Sequence, residues 1–287
     1  MLNHWFYSHP TWEVGTVVCL VLMIIPLIGL YLFDRLVPAY KREADTAMVG
    51  LSYALCGGLY AVMLAFVAVG TYETMDRSTL IASEEANSLG SIAFDSAGLP
   101  AELAAHVRED VDKYINIVTK KEWPSQRAYR MEASNYDEGW AQLRRLSLDL
   151  AGFEPATPGR ATVKAEVQHV INDLFASRRT RLLAANQHLP TAVWQMLVFG
   201  LGLVAVYVYL FGSHSYKIHM ACTALTMLSI GLVFTLVIAL DYPFRGDVSV
   251  DSESYLGVQE LAHDLFHFHP EGAPAGGVHP GTPTEEK

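Results

Sequence analysis

Few residues in this chain could do chemistry, and they cluster near its C-terminal side. Directly after an uncharged stretch come Leu240, Asp241, Tyr242, Pro243, Phe244, Arg245, Gly246 and Asp247. Asp241 and Arg245 could pair across one turn, although Pro243 argues against a regular helix there. As a structural device such a pair stops a membrane helix and anchors it at the headgroups. Repeated by symmetry in an oligomer, it would form a ring of charge that attracts or gates ions. His263, Asp264, His267 and His269 form a second group, since imidazoles four apart share a helical face. Their surroundings are acidic and then rich in Pro and Gly, which reads as a solvated end, so no metal is expected. Cys19, Cys56 and Cys222 lie inside uncharged stretches and build no disulfide framework in a water-exposed part. There is no glycine-rich phosphate loop, zinc-ligand pair or nucleophile elbow. Neither an enzyme nor a cofactor binder is expected.

The elements that would position these residues follow from where charge is missing. Charged residues make up 17% of the chain, against roughly 25% in soluble domains. Val14 to Phe33, Thr46 to Tyr72, Leu182 to Tyr216 and Ile218 to Leu240 hold no Asp, Glu, Lys or Arg. Each supplies the roughly 20 apolar residues that span a hydrocarbon core. Residues 1–13 lack Lys and Arg, and the first apolar run is too long for a signal peptide, so it reads as a retained helix. Pro26 should bend it. The expected fold is an all-α membrane protein with four transmembrane helices and a helical extramembrane bundle inserted between the second and third. Its parts are residues 1–72 (tail and helices 1–2), 73–189 (bundle), 190–240 (the hairpin of helices 3–4) and 241–287 (an acidic, partly disordered tail). The net charge is −10, and residues 241–287 carry nine acids against Arg245 and Lys287. Such a balance excludes nucleic acid as a partner and leaves the lipid bilayer as the first one.

In the bundle region apolar residues recur at helical spacing. Leu103, Val107, Val111, Tyr114 and Val118 form one stripe; Val163, Val167, Ile171, Leu174, Arg178 and Leu182 form another. Helices are expected near 74–97, 100–121, 135–150 and 159–188. Thr157 should cap the last of them, with Pro158 and Pro100 at helix starts. The first should continue from the second crossing, and the last should run to Pro190 and into the third.

The second crossing has two faces. Gly50, Ala54, Gly57, Gly58, Ala61 and Ala65 share one, with Ala68. Small residues there permit close helix packing in lipid, so this face reads as a packing seam. Leu59, Met63 and Phe66 lie opposite with Leu55, and are the pore-lining candidates if this helix borders an ion path. No spanning stretch carries an acid or base in its interior, which counts against a proton-coupled carrier and suits a hydrophobic constriction.

The run Asp241 to Asp247 resembles the signature of the bacterial bestrophin-like membrane family. Glu85-Ala86-Asn87, Glu122-Trp123-Pro124, Arg179 through Leu182, Pro190 and Trp194 agree with it, so the resemblance spans residues 15 to 260. It implies a multi-pass protein of the bacterial inner membrane that assembles as a homo-oligomer. It also implies conduction of inorganic ions, anions above all, with the second crossing lining the pore. Bestrophins proper carry Pro-Phe-Gly followed by consecutive acids that bind calcium. Here Arg245 stands before Gly246 and the acids are scattered as Asp247, Asp251 and Glu253, a departure that counts against calcium, which takes about six to eight oxygen ligands. Arg35, Lys41, Arg42 and Lys217 in the short turns place those turns in the cytoplasm, whereas the resemblance places the bundle there. The alternative function is a non-conducting scaffold or sensor whose helical domain binds a protein.

Overall fold

The computed structural model describes residues 7, 9–37, 46–128, 136–211 and 215–267. Within these the regular structure is helical, in nine helices: α1 (Thr11–Leu36), α2 (Thr46–Asp95), α3 (Ala101–Ile117), α4 (Trp123–Arg127), α5 (Asp137–Ala151), α6 (Pro158–Ala184), α7 (Thr191–Leu210), α8 (Tyr216–Leu240) and α9 (Glu253–His267). A 3-10 turn, Ser96–Gly98, follows α2, and a π turn, Val118–Glu122, joins α3 to α4. Lys41, Arg42, His269 and the stretch from Gly272 lie outside the described residues.

Four helices are long and apolar enough to cross a membrane: α1, α2 in its first half, α7 and α8. They share one apolar core, in which Val14 and Val18 of α1 meet Tyr60 and Leu64 of α2, Leu197 and Val204 of α7, and Met227 and Phe234 of α8. Glycine permits the closest approach, since a Cβ at Gly231 of α8 would stand 3.1 Å from the Cys19 Cα of α1. Pro26 lies buried inside α1.

The second half of α2 packs with α3, α5, α6 and α9 around another core. The expected stripes build it: Val107, Val111 and Tyr114 from α3, and Val167, Ile171 and Leu174 from α6, are all buried. The Thr157 hydroxyl accepts the Arg160 N–H at 3.3 Å, with Pro158 in the first turn of α6. At 50 residues, α2 is about 75 Å long at 1.5 Å per residue. It runs from the apolar core into the second core without a break.

Two expectations about element ends differ from the structure. Helix α6 stops at Ala184 rather than near 188 and does not run on into α7. Instead, Leu189 N–H is drawn to the Asp241 carboxylate at 2.6 Å, and Pro190 starts a new helix. The acidic end was expected to be solvated, yet it supplies α9. Asp251 accepts the Glu253 N–H at its start, and Tyr255 and Val258, spaced at one turn, pack on the second core. Its acidic residues occupy the outward side, which is why composition concealed the helix.

Candidate functional site

Three features hold the residues of interest: a buried charge cluster, the exit of α8, and the outward arc of α2. The cluster begins with Arg178. It occupies a core position of the α6 stripe, four residues beyond Leu174, so its guanidinium enters the apolar core rather than water. Arg181 follows one turn later, and both are fully buried, as are Glu85 of α2 and Glu122 at the end of the π turn. Arg181 Nε donates to Glu85 Oε2 at 2.7 Å, and its Nη2 donates to Glu122 Oε2 at 2.9 Å. Arg178 grips both oxygens of Glu122, at 2.6 and 3.0 Å. The Tyr114 hydroxyl donates to Glu85 at 2.6 Å and accepts from Arg178 at 2.9 Å.

Two carboxylates thus neutralise two guanidiniums through planar, two-point contacts, the geometry in which buried pairs hold best. Burial works against the Arg181 cation, but Glu85 and Glu122 outweigh it and hold its pKa well above the ordinary value. Burial, reinforced by Glu85, raises the Tyr114 hydroxyl well above its own. Aromatic faces complete the enclosure, with Trp123 5.2 Å from Arg181 and Trp140 4.7 Å from Arg178, within cation–π range. Gly139 lies so close to Arg178 and Glu122 that it leaves no room for a side chain. All four charged side chains are fully buried, an enclosure that does not suit ordinary acid–base exchange with solvent. Its effect is to lock α2, the π turn and α6 in one register.

The π turn has a local cause. Pro124 has no N–H for the Lys120 carbonyl and crowds it, so the chain widens ahead of it. Widened turns of this kind recur at functional positions. Glu122 thereby faces the arginines while Trp123 enters the core beside it.

At the exit of α8 the expected motif is held by a mixture of local and tertiary contacts. Asp241, 6% exposed, receives the Leu189 N–H. Burial raises its carboxyl above the ordinary value, opposed by Leu189, Trp194, His188 and Arg245. Arg245 lies 4.0 Å over the Tyr242 ring. Phe244 packs edge-on against Trp123 at 5.6 Å, and Pro243 O accepts the Val250 N–H at 2.7 Å. Gly246 has φ of 78°, a left-handed turn that glycine makes without strain, and Asp247 accepts the Thr11 N–H at the start of α1. The motif therefore joins α1, α7 and α8 to the second core through Trp123, whose indole also donates to Val250 O at 3.2 Å.

Helix α2 turns a single stripe, including Tyr53, Tyr60, Leu64, Val67 and Thr71, toward its own chain. Leu59 and Phe66 are 75% and 74% exposed. Met63 is half-buried beside Gly200. Of the expected seam, Ala54, Gly58, Ala61 and Ala65 are exposed while Gly50 and Gly57 are partly covered. A Cβ at Gly58 would meet nothing within 4 Å. His263 is exposed on α9. Reading the sequence missed the convergence of Arg178, Arg181, Tyr114 and Tyr255. The sequence held only part of the signal: Arg178 at a core position of an apolar stripe calls for a buried acid, but nothing in the spacing says which one.

Four helices apolar and long enough to cross a bilayer, with regular structure that is helical throughout the described residues, mark a membrane protein. Residues 20–255 match the Bestrophin-like domain, and the chain belongs to that family. The match takes in both halves of the fold and ends on Tyr255, whose ring is buried against Trp123. Comparison with curated proteins and with solved structures returned no match.

Proposed function

We propose that the protein is a homo-oligomeric channel of the bacterial inner membrane that conducts inorganic ions, anions foremost, along a path lined by α2. The observation that carries this reading is the outward arc of α2. Of the four spanning helices α2 buries the smallest share of its apolar stretch, 17% against 22–33% for the others, and it does so along one stripe. Leu59 and Phe66 are left for a symmetry axis, and Ala54, Gly58, Ala61 and Ala65 for the backbone of a neighbouring copy. Leu59, Met63 and Phe66 form an uncharged ring, which suits gating by dewetting. The region 73–189 stands outside the bilayer in this reading, joined rigidly to the lining helix because α2 is continuous and Glu85 is locked.

Planar-bilayer recording of the purified protein is the test. Conductance should appear, and Phe66→Ala and Leu59→Ala should each change its size or its closed fraction. Silence in every salt, or currents indifferent to both substitutions, defeats the assignment. One observation favours a second reading, a non-conducting scaffold that binds a protein: Leu80, Phe94, Leu148 and Leu183, all beyond the apolar stretch of α2, are exposed by 58–64%.

A further inference from the structure

A cleft of about 740 Å³ opens between α1, α7 and α8 at the end where α8 terminates, a size within the roughly 300–1,000 Å³ of small-molecule sites. Its composition is graded along the helix axes. Val21 of α1, Val198 of α7 and Phe234 of α8 line the deep part. They stand ten, seven and six residues inside the ends of their helices, which is about 9–15 Å at 1.5 Å per residue. The shallow part is polar, lined by Tyr7, His188 and Asp241. Val21 and Val198 are 45% and 59% exposed, so the deep wall is open to whatever surrounds the helices.

From this gradient we infer that the cleft is a specific phospholipid site, taking an acyl chain along α1, α7 and α8 and an N–H-donating ammonium headgroup at Asp241. Only an amphiphile aligned with the membrane normal matches both ends at once. A water-soluble ligand leaves the valine wall uncovered, and a bare acyl chain leaves the polar end unmatched. The headgroup follows from charge. Among the described residues Asp241 is the one Asp, Glu, Lys or Arg side chain lining the cleft. A carboxylate accepts at about four positions, so the Leu189 and Trp194 contacts leave capacity for a further donor. Phosphatidylethanolamine supplies a cationic N–H donor there, phosphatidylcholine a cation without one, and phosphatidylglycerol no cation. The inference requires α1, α7 and α8 to span the bilayer and does not depend on conduction.

The experiment uses full-length protein in bilayers of equal phosphatidylethanolamine, phosphatidylcholine and phosphatidylglycerol, extracted in mild detergent, with retained lipid read by native mass spectrometry. Phosphatidylethanolamine should be enriched up to about fivefold over phosphatidylglycerol, the scale of a single weak charge pair. Val198→Trp, a change at an exposed wall position, should abolish retention without altering the unfolding temperature in lipid-free detergent. Asp241→Asn should keep a lipid but lose the headgroup preference; if that variant fails to fold, Val198→Trp decides alone. Equal retention of the three lipids, or unchanged retention in Val198→Trp, overturns the proposal. So does oxidative cross-linking of Val198→Cys between protomers, which assigns the cleft to a subunit contact.

Discussion

Arg181 reaches two acids from different parts of the chain, Glu85 on α2 and Glu122 on the π turn, so its removal would leave Glu85 buried without a cation, while Arg178 still holds Glu122. Buried pairs add little over an apolar replacement of the whole set, but breaking one by deleting a single partner costs about 3–5 kcal/mol. Arg181→Met should therefore lower stability by about that amount, seen as a fall in unfolding temperature in detergent. The double variant Glu85→Gln/Arg181→Met should cost less than the sum of its singles, because the orphaned acid is then neutral. A single-site loss below about 1 kcal/mol, the range of exposed pairs, would show that water reaches the cluster. Arg178 carries the same logic, with the added constraint that Gly139 must stay small for its guanidinium to fit.

At the scale of elements, the joint between α7 and α8 depends on Asp241, which receives Leu189 N–H just before α7 begins. Burial raises this carboxyl above its ordinary value, so the folded chain holds the proton more tightly than the unfolded one. The resulting stabilisation is complete below the unfolded pKa, about 3.9, and is lost as pH rises through the raised folded value. Asp241→Asn cannot titrate. The unfolding temperature of the wild type minus that of Asp241→Asn, measured from about pH 3 to about pH 8 to bracket the ordinary carboxylate range, should be most favourable to the wild type in acid and decline with rising pH. A difference that stays flat or grows with pH contradicts the burial of this group. Continuity matters equally in α2, where no Pro separates the apolar half from the half bearing Glu85, so displacement at one end is transmitted along a stiff rod.

For the whole molecule, the apolar core and the second core are linked by α2 and by the exit motif, which reaches from Thr11 to Trp123 through Asp247 and Phe244. One chain leaves the arc of α2 uncovered, and the proposed channel needs several copies around an axis to cover it. Mass measurement of the detergent-solubilised protein should give a closed ring of three or more copies. A monomer, or a dimer without a central axis, would remove the pore and favour the scaffold reading.

Much of this was legible in the chain itself. Hydrocarbon penalises charge residue by residue, so uncharged stretches mark α1, α7, α8 and the first half of α2 without knowledge of their neighbours. Helical spacing of Val107, Val111, Tyr114, Val167, Ile171 and Leu174 marks the second core for the same local reason. The cluster was not legible, because Glu85 and Arg181 are 96 positions apart and nothing in their spacing says that they meet. Tyr255 likewise sits in acidic surroundings whose composition suggests solvent. Sequence determined which segments must leave water; only the tertiary structure decided which charges meet inside the protein, since pairing depends on distances that folding alone creates.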